Sequence, residues 1–273
     1  MYIEALEEEA KRIPDLKSEV SERIEGGVIT GSGDSFAACL ALEGKSLGRF
    51  RCVDPYDLLD WNPPNTLIIV SVSAKPKVYL ALVEKLRGKS EIVLVTASEN
   101  SKLLNLVDRV VKVPYQPAQT LPGTLSFVAT LKTLYSLAGI WEEPERGKPM
   151  KLGRSPFFVG RGENYGVAYF AYLKMAEIFG EISNAERLEQ FLHSPVFSSG
   201  GRRVVFLSSG DWREKTIENY NYENFLFSPC KSSLCNAETV VLSIIEEMKQ
   251  RNWDKIWFLE NKNILKFSSD MIY

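Results

Sequence analysis

The sequence predicts an α/β protein made of two halves, each a parallel sheet flanked by helices. Three observations predict it. Short Val/Ile/Leu-rich runs recur along the chain, amphipathic helical stretches separate them, and the same alternation restarts after a charged, Pro- and Gly-rich break. Strands that are apolar almost without interruption belong to sheets covered on both faces, and intervening helices supply the cover.

Taken in order, "MYIEALEEEAKRIPDL" is acidic and helix-prone. "GGVIT" (26–30) reads as a strand and "DSFAACLALEG" (34–44) as the helix after it. A strand follows at "NTLIIVSVS" (65–73), a helix at "PKVYLALVEKLRG" (76–88) and a strand at "EIVLVTA" (91–97). "LVDRVVKVP" (106–114) is a further strand and "GTLSFVATLKTLYSLAG" (123–139) a long helix. "IWEEPERGKPMKLGRSP" (140–156) breaks the pattern and reads as a linker. Then "PFFVG" (156–160) is a strand and "ENYGVAYFAYLKMAEIFG" (163–180) a helix. "RRVVFLSS" (202–209), "NFLFSP" (224–229) and "KIWFLE" (255–260) read as strands, with a helix at "AETVVLSIIEEMKQ" (237–250). The halves are therefore 1–140 and 156–273, with 141–155 between them.

Bulk properties exclude several classes. At 273 residues and 45% hydrophobic composition the chain can bury a full core. Lys plus Arg is 33 against 35 Asp plus Glu, a net charge of −2, so no cationic excess exists to neutralise a run of phosphates in a nucleic acid. No basic-then-apolar leader opens the chain and no apolar run approaches 18 residues, which gives the expectation of a soluble cytoplasmic protein without membrane contact. Of the four cysteines, Cys230 and Cys235 share "PCKSSLC". A zinc site would need two further ligands at matching spacing, and none is present, so no metal is expected. A local disulfide is the intermediate alternative and a pair of free loop cysteines the preferred reading.

In open parallel sheets ligands bind beyond the carboxyl ends of strands, so the turns there are the places to seek chemistry. "GSGDS" (31–35) follows the first strand, and its glycines and Ser35 could let backbone and hydroxyl donors meet an anion. Gly-rich turns of this kind also arise for packing alone. "SVSAK" (71–75) repeats the arrangement with Ser71 and Ser73, though serines often merely cap helices. In the second half, Lys174 and Glu177 stand one helical turn apart, and His193 is the one histidine of the chain. A carboxylate and an imidazole form the usual proton-transfer pair near neutral pH. On chemistry alone the Glu/Lys pair is more often a solvated surface pair, and a lone histidine more often structural.

"FVGRGENYGVAYFAYLKMAEI…HSP" resembles the signature of the sugar isomerase (SIS) family, G-R-G-x-x-Y-x-x-A…L-K-x-x-E-I…H-G-P. Gly160, Arg161, Gly162, Tyr165 and Ala168 match, then Leu173, Lys174, Glu177 and Ile178, then His193 and Pro195. "GSGDS", "SVS" and "TLSF" (124–127) stand where the family's first half has its own motifs. The spacing from Glu177 to His193 also resembles that in the isomerase domain of glucosamine-6-phosphate synthase, and the chain is similar to archaeal glucosamine-6-phosphate deaminases.

The resemblance implies two flavodoxin-like halves and an aldose–ketose isomerase, or a deaminase, acting on a sugar phosphate, with no cofactor. It implies that Glu177 moves a proton between C1 and C2 of the opened sugar and that Lys174 stabilises the developing oxyanion. It implies that His193 assists ring opening, reaching across a homodimer interface. Gly33, Ser35, Ser71 and Ser73 would hold the phosphate, with Arg161 alongside. "NILK" (263–266) loosely matches the family's closing segment and makes Lys266 a candidate substrate contact, against the simpler reading of a surface lysine.

The departures weaken the phosphate grip. Where the family has S-x-S-G-x-T, this chain has Ala74 for the glycine and Pro76 for the threonine, and Ser194 follows the histidine. An acidic residue frequent before the T-x-x-F segment is not evident, with Ala118 and Gln119 there instead. These departures motivate the alternatives of a non-catalytic phosphosugar sensor and of a homologue with neither activity.

Overall fold

The computed structural model describes residues 1–18, 20–116 and 120–273, so Ala118 and Gln119 lie outside the described residues. The first part of the chain runs α1 (Tyr2–Arg12), β1 (Gly27–Gly31), α2 (Asp34–Lys45), β2 (Phe50–Cys52) and β3 (Thr66–Val70). It continues α3 (Lys77–Leu86), β4 (Glu91–Thr96), β5 (Arg109–Lys112) and α4 (Leu125–Leu137). Its five strands are all parallel in the order β2-β1-β3-β4-β5, the order of a flavodoxin-like sheet. The second part runs β6 (Phe157–Gly160), α5 (Asn164–Lys174), β7 (Asn184–Arg187), α6 (Leu188–His193), β8 (Val204–Leu207) and α7 (Trp212–Glu218). It ends with β9 (Phe225–Phe227), α8 (Ser233–Gln250), α9 (Trp257–Glu260) and α10 (Lys262–Ile272). Its four strands are parallel in the order β7-β6-β8-β9. The α/β architecture expected from the apolar runs is present in both parts.

"KIWFLE" is not a strand: Trp257–Glu260 is a helical turn. A short apolar run cannot be assigned to strand or helix by periodicity alone, and here tertiary contacts decide. The Trp257 ring lies against Gly180, where an added Cβ would meet its Nε1 at 2.5 Å. The residues that would have made a further strand instead pin the end of α5. β2, β7, α6, α7 and α10 also go beyond the elements read from the sequence; the two strands are only three and four residues long, and β7 carries Asn, Glu and Arg.

The two sheets are joined through helices. α2 crosses α5 with small residues facing, and a Cβ at Gly166 would collide with Ala41 N and would meet Ala37 O at 2.5 Å. A Cβ at Gly44 would collide with the Gly162 carbonyl carbon. Only hydrogen at these two positions lets the backbones approach so closely, and the approach carries the start of α2 to the end of α5. Phe127 of α4 stacks on Phe170 of α5 at 3.9 Å between ring centres, and one core runs through both parts.

Residues 140–153 have no regular structure, yet they are bound along α8. Gly147, Met150 and Gly153 donate backbone N–H groups to Glu238, Ser243 and Glu247 of α8. Glu142 and Glu145 accept the free N–H groups at the start of that helix. Extended backbone packed on a helix must find partners for its donors, and α8 supplies them from its side chains. Beside this segment Cys230 and Cys235 form a disulfide, correcting the reading of free loop cysteines. Their Cα atoms stand 5.6 Å apart across the turn into α8, within bridging range.

Candidate functional site

The turns after β1 and β3 sit side by side because those strands pair directly. In the first, Gly33 takes φ +58°, a left-handed conformation that glycine enters without a Cβ clash, and α2 starts at Asp34. Ser35 is buried, whereas Ser32 and Gly33 are exposed; the Ser32 hydroxyl accepts from Tyr79 OH at 2.9 Å. In the second turn Ala74, where the SIS motif has glycine, also takes a left-handed φ of +50°. The loop keeps the shape that glycine favours and bears the strain of a Cβ, which costs about 1–2 kcal/mol. Two bonds over-determine it: Ala74 N donates to Ser71 Oγ at 3.1 Å and Ser101 Oγ donates to Ala74 O at 2.6 Å. Ser71 is thus buried and partly engaged, Ser73 is half-buried, and Pro76 caps α3.

The end of α5 does not continue regularly to Gly180 as the sequence suggests. After Lys174 the backbone widens into a π-helical turn over Met175–Phe179, closed by Gly180 at φ +67°. Such turns leave backbone groups to be satisfied from outside the ladder. Here the indole of Trp253 donates to Ile178 O at 2.8 Å. The turn rotates Glu177 toward a cavity of about 1030 Å³.

Lys174 is fully buried, not a solvated surface lysine. Its ammonium donates to Asp34 Oδ2 at 2.8 Å and also to Glu177 Oε2. Burial pulls the Lys174 pKa down, but the two carboxylates more than offset this and hold it above its ordinary value. Burial pushes the Asp34 carboxyl up to about 7; Lys174 opposes that rise and Glu177 adds to it. Asp34 is absent from the sequence-derived candidates. It lies inside "GSGDS", but nothing in the local pattern shows that α2 and α5 cross there.

Asp34 and Glu177 both line the cavity. Tyr165, Tyr169 and Tyr172 form an aromatic side of it, and α9 and α10 cover it with Trp257, Phe258 and Ile264. Glu181 also lines it but is held by Arg251 at 2.8 Å and by the Ser155 N–H at 3.0 Å. α10 ends near the second serine turn, where Lys77 Nζ donates to Asp270 O at 3.2 Å.

Gly33, Ser35, Ser71, Ser73 and Lys174 do not themselves line the cavity, and the remaining candidates lie elsewhere. His193, at the end of α6, is 71% exposed and pairs with Glu189 Oε1 at 3.1 Å; it does not line the cavity within one chain. Leu192 and Phe197 beside it are exposed as well. Arg161 pairs with Asp211 Oδ2 at 3.4 Å, across the carboxyl ends of β6 and β8. Lys266 is exposed on α10 and does not line the cavity. Among the described residues no group of three or more His, Cys, Asp or Glu side chains is gathered to hold a metal ion, and no helix is long and apolar enough to cross a membrane.

No protein-family model and no curated protein sequence matches the chain. Its fold matches solved structures over nearly its whole length. The C-terminal domain of glucosamine-fructose-6-phosphate aminotransferase from Francisella tularensis superposes with a TM-score of 0.69 at 13% identity, covering 91% of this chain and 94% of that one. Glucosamine-6-phosphate deaminase from Thermotoga maritima gives 0.67 at 15% identity, covering 92% and 94%. A Silicibacter pomeroyi protein named as a phosphosugar isomerase gives 0.65 at 16% identity, covering 93% and 96%. The structural neighbours are thus sugar-isomerase (SIS) proteins, and at these identities the likeness is one of fold.

Proposed function

We propose that the chain is a cytoplasmic aldose–ketose isomerase of sugar phosphates, with amino-sugar phosphates such as glucosamine 6-phosphate as the favoured class. One observation carries the reading. Glu177 faces a cavity from a π-helical turn while tethered, through buried Lys174, to the first of the two serine-bearing turns. Those turns, with Gly33, Ser35, Ser71 and Ser73, would hold the phosphate. Arg161 and Lys266 remain outlying candidates for the same substrate. Glu177 would take the proton from C2 of an open-chain aldose, and Lys174 would stabilise charge on the enediol or enolamine oxygen. The neighbours named for glucosamine 6-phosphate chemistry support this substrate class.

The exposed His193, flanked by Leu192 and Phe197, supports a homodimer in which each chain offers its imidazole to the partner's cavity for ring opening. Mixing inactive Glu177→Gln with inactive His193→Ala protein should then restore part of the activity. No recovery in a verified mixed dimer would remove the cross-subunit role.

The primary test is proton NMR in D₂O with glucosamine 6-phosphate and, separately, fructose 6-phosphate plus ammonia. Deuterium should enter C1 or C2 with the wild type and not with Glu177→Gln. A second reading, a non-catalytic sensor, is favoured by the strained Ala74 turn whose Ser71 hydroxyl is already engaged. Binding shifts without exchange would establish it.

A further inference from the structure

We propose that Asp34 is a second acid–base group of this site: Glu177 moves the carbon-bound proton and Asp34 moves the oxygen-bound one. The inference rests on the isomerase reading above. Four features of the structure converge on it.

Asp34 Oδ2 and Glu177 Oε2 accept from the same buried ammonium, so the two carboxyl groups are held close together by one nitrogen. Both carboxyls line one cavity, although they come from α2 and from the turn after α5. Asp34 Oδ1 is buried with no hydrogen-bond partner. A buried polar atom without a partner is uncommon and calls for one, which a substrate hydroxyl or carbonyl would provide. Finally, the chain makes room for the group: a Cβ at Gly123 would collide with Asp34 Oδ2.

The charged groups facing Asp34 are Lys174 of α5 and Glu177 of the π-helical turn; the start of α4 presents Gly123 and the uncharged Ser126 hydroxyl. Burial leaves the carboxyl ionising at about 7, so near neutrality it both gives and takes a proton. An acid–base group works best when its pKa lies near the working pH. The isomerisation then closes without a co-reactant. Glu177 takes the C2 proton, the C–H electrons form the C1–C2 double bond, and the carbonyl electrons on O1 take the proton of Asp34. In the return step Asp34 recovers a proton from the 2-hydroxyl, or from the 2-amino group of an amino sugar, the C2–O2 or C2–N2 double bond forms, and Glu177 delivers its proton to C1; with an amino sugar, water then hydrolyses the imine to the ketose and ammonia. The other cavity carboxylate, Glu181, is engaged with Arg251 and the Ser155 N–H, and His193 of the same chain stands outside the cavity.

The experiment is steady-state isomerisation of the substrate identified by deuterium exchange, with wild type, Asp34→Asn and Asp34→Glu, across a pH range of about 5 to 9 that brackets the ionisation. Loss of one acid–base group lowers kcat by about 10²–10⁴-fold. For Asp34→Asn we expect that loss with KM changed only a few-fold, disappearance of the pH limb near neutrality, and partial recovery in Asp34→Glu. Asp34→Asn activity within a few-fold of wild type, or an unchanged pH limb, would overturn the role while leaving the isomerase reading intact. No exchange or turnover by the wild type would overturn both. Should Asp34→Asn fail to fold, ¹³C-carboxyl NMR of aspartate-labelled wild type decides, using Asp34→Glu to identify the resonance. Titration of that carboxyl in the ordinary aspartate range, together with full activity of Asp34→Glu, would overturn the proposal.

Discussion

Gly166→Ala tests whether the crossing of α2 and α5 is what assembles the site. Inside a helix, alanine is favoured over glycine by about 1 kcal/mol, so without tertiary contact the change would stabilise the protein. In this structure the new Cβ would collide with Ala41 N and lie 2.5 Å from Ala37 O. Ordinary van der Waals contact begins near 3.4 Å, so the helices must part by about 1 Å. The obstructing atoms are backbone and cannot rotate aside. Overpacking of this kind costs about 1–3 kcal/mol, and backbone obstruction places the cost at the upper end, so a net loss of about 1–2 kcal/mol is expected. Separation of the helices also pulls Asp34 from Lys174, now 2.8 Å apart. Urea unfolding followed by tryptophan fluorescence gives the stability change, and deuterium exchange into the sugar phosphate gives the effect on the site. A gain in stability near 1 kcal/mol, with exchange unchanged, would show that propensity outweighs the contact and that the crossing is looser than described.

Three further outcomes are expected. Cutting the Cys230–Cys235 bond, which closes a separation of 5 residues, should lower stability by about 2 kcal/mol; unfolding with and without reductant reads this, and non-reducing peptide mapping shows the bond. Trp253→Phe leaves the Ile178 carbonyl without its indole donor, at a cost of about 1–3 kcal/mol. Deuterium exchange should fall several-fold in that variant as Glu177 loses its fixed turn, and unchanged stability and exchange would remove the indole from the account. The folded state holds a proton on Asp34 that the unfolded chain releases near 3.8, so its contribution to stability is present at low pH and is lost as pH rises toward 7. Melting curves across that window should show the slope in the wild type and lose it in Asp34→Asn.

Much of the secondary structure is legible because its causes are local. "TLIIV" and "EIVLVT" are apolar at nearly every position, and β3 and β4 sit where those runs are. Leu67, Ile68, Ile69 and Val70 are all fully buried, as a strand covered on both faces requires. "GSGDS" is readable as a turn because glycine and serine at a strand end have few other uses. Short edge strands such as β2 and β7 escape because three or four partly polar residues carry too little period to register.

The candidate site is half legible. Glu177 and Lys174 emerge through the motif, but their sequence spacing implies a solvated pair, and burial of Lys174 follows only from the packing of α2 against α5. Ala74 and Pro76 are visible as substitutions, whereas the left-handed φ that Ala74 retains is fixed by bonds from Ser71 and Ser101. The disulfide is undecidable from spacing, since the turn into α8 sets the distance between its cysteines.

By itself, then, the sequence determined the parallel α/β plan and the two serine-bearing turns, because these depend on residue type and short-range period, while Lys174 and Glu177 stood out only through the motif they match. The tertiary structure alone decided that Asp34 meets Lys174 across 140 residues of chain, that α5 ends in a π-helical turn, and that His193 faces outward. Those outcomes depend on how closely two helices approach, and that distance is a property of the packed core rather than of either segment.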